Sequence, residues 1–201
     1  MLRKTVDHPY FIWLLLALPS VPMIMALVSG AEGPDGMPIT EFLLHPTGEF
    51  SARFLIIAMM LTPLRMLFPG SGFLRWMMKR RRYFGVAAFF YAAFHTLLYI
   101  VDMGSLRAML AEFTALGIWT GWLAMVIFVP LAITSADGFV RRMGPAWKTL
   151  QRTVYLAAVA TLLHWIFVHN NLGPALVHFV PLALLEAYRI WRKFHHSHQP
   201  V

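Results

Sequence analysis

Two histidines are the residues through which this sequence could do chemistry. His95 and His164 each sit within a long apolar stretch, and an ionisable or metal-ligating side chain inside a membrane helix is expensive enough to mark a functional position. His95 follows Arg82 by thirteen residues and His164 follows Arg152 by twelve. At a helical rise of about 1.5 Å per residue, each lies about 18 to 20 Å from the basic edge of its span, so the two imidazoles share one level. Two neutral imidazoles at equal depth on neighbouring helices suit the two axial positions of a heme iron. Small residues recur on the same faces: Ala88 and Ala92 beside His95, and Ala157, Ala160 and Thr161 beside His164, at helical spacings of three, four or seven. They leave space for a flat macrocycle. They equally suit close helix packing, with the histidines bonding other helices.

The elements that must position these residues are membrane helices. The chain has 201 residues, 59% of them hydrophobic and 13% charged, with a mean hydropathy of +0.63, too apolar for an ordinary soluble domain. Six apolar stretches stand out, at about residues 10–29, 50–68, 83–101, 117–135, 154–170 and 175–191, each near the length that crosses a bilayer. They lack the alternation of barrel strands, so an all-α integral membrane bundle of six spans is expected, with no room for a second soluble domain. Gly- and Pro-rich breaks separate the spans, and Pro19, Pro22, Pro63, Pro130 and Pro181 are expected to kink helices or lie near their ends. No internal repeat stands out. The first stretch also has features of a cleaved signal peptide, but it is long and lacks a clear small-x-small cleavage site.

Charge sets the orientation. In the six-span scheme fifteen of the seventeen Lys and Arg residues fall on one side, and only Arg53 and Arg107 on the other, which holds Glu32, Asp35, Glu41, Glu49, Asp102 and Glu112. The positive-inside rule then puts both termini in the cytoplasm, in a multi-pass membrane protein. The net charge of +8 is read as topology and as contact with lipid headgroups, not as binding to nucleic acid. The run Lys79 to Arg82 (KRRR) fits that role better than a phosphate or flavin site. The absence of cysteine excludes disulfides, thiolate metal sites and Cys-ligated iron–sulfur clusters. No glycine-rich nucleotide motif is present.

In their order, the segments HPTGEFSARFLIIAMMLTPLR from His45, RRYFGVAAFFYAAFHTLLYIVD, TGWLAMVIFVPLAITS and GPAWKTLQRTVYLAAVATLLHW resemble the MsrQ/YedZ family, the heme-binding membrane subunit of the periplasmic methionine sulfoxide reductase system. The resemblance implies one ferric-reductase-like transmembrane domain over residues 1–201. It further implies a b-type heme ligated by His95 and His164, and a molybdenum-cofactor (molybdopterin, MsrP-like) reductase subunit as periplasmic partner. The chain is then an electron-transfer subunit, redox-active without performing the substrate chemistry. FMN is associated with the family, and the donor is quinol or a reduced flavin. The family pattern places a further His thirteen residues before His164, where this chain has Gln151, a poor heme ligand. One heme in the outer half of the membrane is therefore expected, and a second, inner one is not.

The remaining candidates are peripheral. Arg53 lies near the outer end of the second span, where it either pairs with a heme propionate or snorkels to the interface. His45, His169 and His178 fall at the outer boundary, as solvated side chains or as the lining of a quinone or metal site. His195, His196 and His198 belong to a polar tail. The seven Trp residues mostly mark span ends, as interfacial belts do. Two other functions remain: a stand-alone ferric or cupric metalloreductase, and a heme-free transporter or proton pathway with His95 and His164 as relay groups.

Overall fold

The computed structural model describes residues 8–196, and Arg3, Lys4 and His198 lie outside the described residues. All regular structure among the described residues is helical: α1 (Pro9–Ala17), α2 (Ser20–Val28), a 3₁₀ turn (Pro34–Gly36), α3 (Ile39–Leu67), α4 (Gly72–Lys79), α5 (Arg81–Met103), α6 (Leu106–Glu112), α7 (Leu116–Ile133), α8 (Asp137–Met143), α9 (Pro145–Gln151), α10 (Val154–His169) and α11 (Leu172–His196).

Four segments are long and apolar enough to cross a membrane: α3, α5, α7 and the stretch Pro145–His169 that contains α10. A fifth crossing is formed if α1 and α2 count as one span, since they meet at an angle of 54°. The break falls at Leu18 and Pro19, where the proline ring removes an amide donor and disfavours helical geometry in the residue before it. The expected kinks at Pro63, Pro130 and Pro181 leave their helices continuous, and Pro46 is accommodated inside α3 as well. The second span is also longer than its apolar run: α3 begins eleven residues before Phe50, taking in His45, Thr47 and Gly48.

The core consists of two helix pairs, α3 along α5 and α7 along α10, with α11 against α3. Gly117 makes the second pair close. A Cβ there would come within 3.2 Å of the Val168 backbone nitrogen and 3.3 Å of the Phe167 carbonyl carbon. Gly117 and Gly121 share one face of α7 at the i, i+4 spacing that lets membrane helices approach backbone to backbone.

The basic end of the bundle is tied internally, and Arg80, Arg81 and Arg82 take part in this, while Lys79 is exposed. Arg80 stacks 4.1 Å over the Trp76 ring, Arg81 donates to the Ala58 carbonyl (2.8 Å) and to Thr62 (3.3 Å), and Arg82 pairs with Asp137. Nearby, Arg189 bonds the Tyr155 hydroxyl at 2.6 Å and Glu186 at 3.2 Å. Asp137 lies outside the spanning helices, and the hydrogen bond and charge of Arg82 hold its carboxyl below the ordinary range. A lowered folded-state pKa makes this tie effective above the unfolded value and abolishes it as pH falls through the folded one. Arg82→Ala should therefore lower stability slightly in the neutral region and leave the most acidic end unchanged, so that the acid limb flattens; thermal unfolding in detergent measures this, and the effect is small because the pair is exposed.

Candidate heme site

His95 on α5 and His164 on α10 face each other across the space between the two helix pairs, with ring centroids 5.8 Å apart and ring planes at 83°. The common depth expected from the sequence is the depth at which they meet. A ring nitrogen lies about 1 Å from its centroid and a metal–imidazole bond is about 2 Å, so two rings sharing one metal have centroids about 6 Å apart. The pair fits that spacing.

Their tautomers follow from their hydrogen bonds. His95 Nδ1 is 2.9 Å from the Leu44 carbonyl oxygen, and His164 Nδ1 is 2.7 Å from that of Gly117. A carbonyl only accepts, so each Nδ1 carries the proton and each Nε2 keeps its lone pair. Neither Nε2 has a hydrogen-bond partner among the described residues. This is how a metal-binding imidazole is normally prepared: one nitrogen donates to the protein, and the other is left as ligand.

The two histidines are held by one device used twice, which the sequence reading missed. Leu43 to Gly48 and Leu116 to Gly121 share the pattern Leu-x-x-x-Thr-Gly. Thr47 and Thr120 are buried, and each bonds the Leu carbonyl four residues earlier at 2.7 Å. The residue three before each Thr supplies the carbonyl that takes the imidazole proton. Each Gly then makes room for that imidazole. A Cβ on Gly48 would sit 3.2 Å from His95 Nδ1, and one on Gly121 would sit 2.7 Å from His164 Nδ1. Six-residue segments 73 residues apart are too short to stand out as a repeat without the contacts that define them.

Two cavities, of about 90 and 110 Å³, meet at the imidazole pair, and both include His95, His164, Gly48, Tyr99, Ile118 and Thr161 in their walls. Of the small residues flanking the histidines, only Ala92 and Thr161 line this space. Ala88, Ala157 and Ala160 are buried against neighbouring helices, and the Ala88 carbonyl accepts from Ser51 at 2.8 Å. The alanine pattern thus served both packing and space. The walls are mostly apolar, as a porphyrin face requires, and one polar atom among them is unsatisfied: the buried Tyr99 hydroxyl has no partner. Lone pairs aimed at shared space, glycine cradles and an orphaned donor together fit a bis-histidine heme.

The outer histidines are exposed at His45 and His169 and half-buried at His178, as solvated side chains, and they are also joined in a network. His45 Nδ1 and His169 Nε2 are 3.3 Å apart, and Glu49 binds Arg53 at 2.6 Å. His178 donates from Nδ1 to the Pro174 carbonyl (2.7 Å), accepts from Arg53 Nε at 3.3 Å and lies against Trp165. Among the described residues no group of three His, Cys, Asp or Glu side chains is arranged to hold a metal ion, which disfavours the metal-site alternative for this cluster. Arg53 also lies 5.6 Å over the Phe50 ring and is absent from both cavity walls. Trp165 is buried and Trp122 lines one cavity, so these two depart from the interfacial belt. At the other end, Gln151 donates to the Leu131 carbonyl (3.3 Å) and the Thr134 hydroxyl (3.4 Å) at the end of α7. His195 bonds only the Trp191 carbonyl one turn back on α11.

A membrane bundle carrying paired imidazoles inside a four-helix cage defines a class, the heme-binding transmembrane domains. Residues 47–162 match the family described as ferric reductase like transmembrane component. The chain is 32% identical over 204 residues to the protein-methionine-sulfoxide reductase heme-binding subunit MsrQ of Brucella anthropi, covering 99% of this chain and 90% of the relative. It is 36% identical over 191 residues to the protein of the same name from Rhizobium meliloti, covering 92% and 86%. The chain belongs to the MsrQ family of ferric-reductase-like membrane proteins. No solved structure matches it.

Proposed function

We propose that this chain is the heme-binding, electron-transferring membrane subunit of a methionine sulfoxide reductase system, holding one b-type heme between His95 and His164. The observation that carries the reading is the pair of Nδ1-tethered imidazoles 5.8 Å apart. The relatives' printed name, which describes a heme-binding subunit of such a system, supports it independently.

When bound, the heme supplies a one-electron carrier inside the membrane. The chain's own residues fix its surroundings. The Leu44 and Gly117 carbonyls hold the proton on each Nδ1, which fixes the tautomer, orients both rings and raises the basicity of each Nε2 as a ligand. Apolar walls, including Ile118, Met125 and Phe128, exclude water. Arg53 is the cation assigned to a propionate on the α3 flank, reached by exchange of its Glu49 partner.

The donor is quinol or a reduced flavin, and the acceptor is a periplasmic molybdenum-cofactor reductase subunit. The protein is placed in the inner membrane with six spans and both termini in the cytoplasm. The internally bonded arginines at one end of the bundle and Glu49 and Asp102 at the other support that orientation. The sixth span is assigned to α11, which is not among the helices apolar enough to cross by themselves; its uncharged part, residues 172–185, is about 21 Å of helix, and Glu186 and Arg189 beyond it pair with each other.

A visible spectrum of the purified protein tests the reading. A Soret band and sharpened visible bands on dithionite reduction are expected, and their absence would sink it. Heme per chain should be near one, because Gln151 is spent on α7 and offers no imidazole. A ratio near two, measured by pyridine hemochrome against protein mass, would overturn that part.

A further inference from the structure

Among the described residues one buried side-chain polar atom lacks a hydrogen-bond partner, the hydroxyl of Tyr99. A buried donor without a partner is costly enough that native proteins rarely keep one. The ring is well placed: it packs edge-on against Trp122, with centroids 6.4 Å apart, and both residues line the cavity that His95 and His164 also line. Tyr99 lies four residues beyond His95 on α5, one helical turn, about 6 Å, toward the end of the bundle that carries Glu49 and Asp102. Its hydroxyl is therefore held inside the site, one turn from the level of the iron ligands, with nothing in the protein to bond.

We infer that Tyr99 is a heme-anchoring residue whose hydroxyl donates to a heme propionate on the flank of the site between α5 and α7. This rests on the heme reading above. A propionate is the chemically matching partner, because an O–H donated to a carboxylate makes a charge-assisted bond stronger than a neutral one. The donor is also complementary to its surroundings. On the opposite flank the cation Arg53 already meets the carboxylate Glu49 and His178, whereas the Tyr99 side offers an uncharged donor among apolar walls. A neutral phenol can be kept buried in the empty protein more cheaply than an unpaired cation. Once its partner carboxylate is present, it binds that carboxylate and offsets part of its negative charge near the iron.

The test pairs Tyr99→Phe with a change on the heme itself. Tyr99→Phe keeps the ring and its contact with Trp122 and deletes only the hydroxyl, so the bundle should assemble normally by circular dichroism and gel filtration. Full-length wild-type and variant chains in detergent are loaded with native heme, or with heme dimethyl ester, whose carboxylates are masked. Heme loss to excess apomyoglobin is then followed at the Soret band. With native heme the variant should lose heme about tenfold to a hundredfold faster, the effect of one charge-assisted hydrogen bond, and its midpoint potential should fall, because the propionate charge is no longer offset. With the dimethyl ester, wild type and Tyr99→Phe should match. An equal difference with both hemes, or none with native heme, overturns the assignment of Tyr99 and leaves the heme reading standing. A wild-type chain that gives no Soret band with either heme overturns both.

Discussion

His164→Ala will purify with at most a trace of heme: its heme affinity should fall by at least about 100-fold, the upper end of what losing only a ligand's hydrogen-bond partner costs, and the Soret band per chain should be nearly absent. The same holds for His95→Ala, because the two imidazoles are held in equivalent ways, while His45 and His169, which also line one of the cavities, are engaged elsewhere. The His45 and His169 pair is engaged with itself and with Glu49 at the outer end. Both substitutions leave the Gly117 contact between α7 and α10 and the Ser51 bond between α3 and α5 in place, so far-UV circular dichroism should be unchanged. Adding imidazole to His164→Ala should restore part of the spectrum, since the truncation leaves a hole of the ligand's own shape beside the Gly117 carbonyl. A full heme complement in either alanine variant would reassign the ligand.

The second large effect needs no change at a histidine. Gly121→Ala puts a methyl group 2.7 Å from His164 Nδ1 and 2.8 Å from Cε1, closer than nonbonded carbon contacts allow. The imidazole must leave the Gly117 carbonyl or α7 must move away from α10, and α7 is already in backbone contact with α10 at Gly117. Overpacking of this kind costs about 1–3 kcal/mol, which corresponds to heme binding weaker by about tenfold to a hundredfold. Gly48→Ala is a graded control, because its methyl would stand 3.2 Å from His95 Nδ1 and needs a shift of only a few tenths of an ångström. The expected order of heme affinity, from competition with apomyoglobin, is wild type, then Gly48→Ala, then Gly121→Ala. The reverse order would show that α7 yields more readily than α3.

Four of the spans, a fifth if α1 and α2 count as one, and the pairing of His95 with His164 could be read from the sequence because lipid imposes simple rules. A helix must be apolar and about 20 residues long, and depth scales with residue number, so Arg82 and Arg152 served as rulers for His95 and His164. The extent of α3 was less legible. Its first turns carry His45, Pro46, Thr47 and Gly48, a string that signals a loop by composition but lies in a helix because Thr47 and Gly48 pack against α5 at His95. The role of Tyr99 was invisible for a different reason: a tyrosine near the end of an apolar span normally belongs to an interfacial belt. Only the surroundings of its hydroxyl distinguish it. The outer histidines read as solvent-facing, and His45 and His169 are exposed, but their links to Glu49 and Arg53 were not legible. Partners separated by more than 100 residues, as Arg53 and His178 are, leave no local trace.

The acceptors that orient both imidazoles belong to the main chain. An oxygen of Leu44 or Gly117 has no codon of its own, so no single substitution can delete it in the way that Asp→Asn alters a carboxylate behind a histidine. The electron-donating strength of the two ligands is therefore stored in where α3 and α7 lie, not in which side chains they carry. Tuning this center by mutation means displacing a helix, and Gly48 and Gly121 are the two screws available for turning.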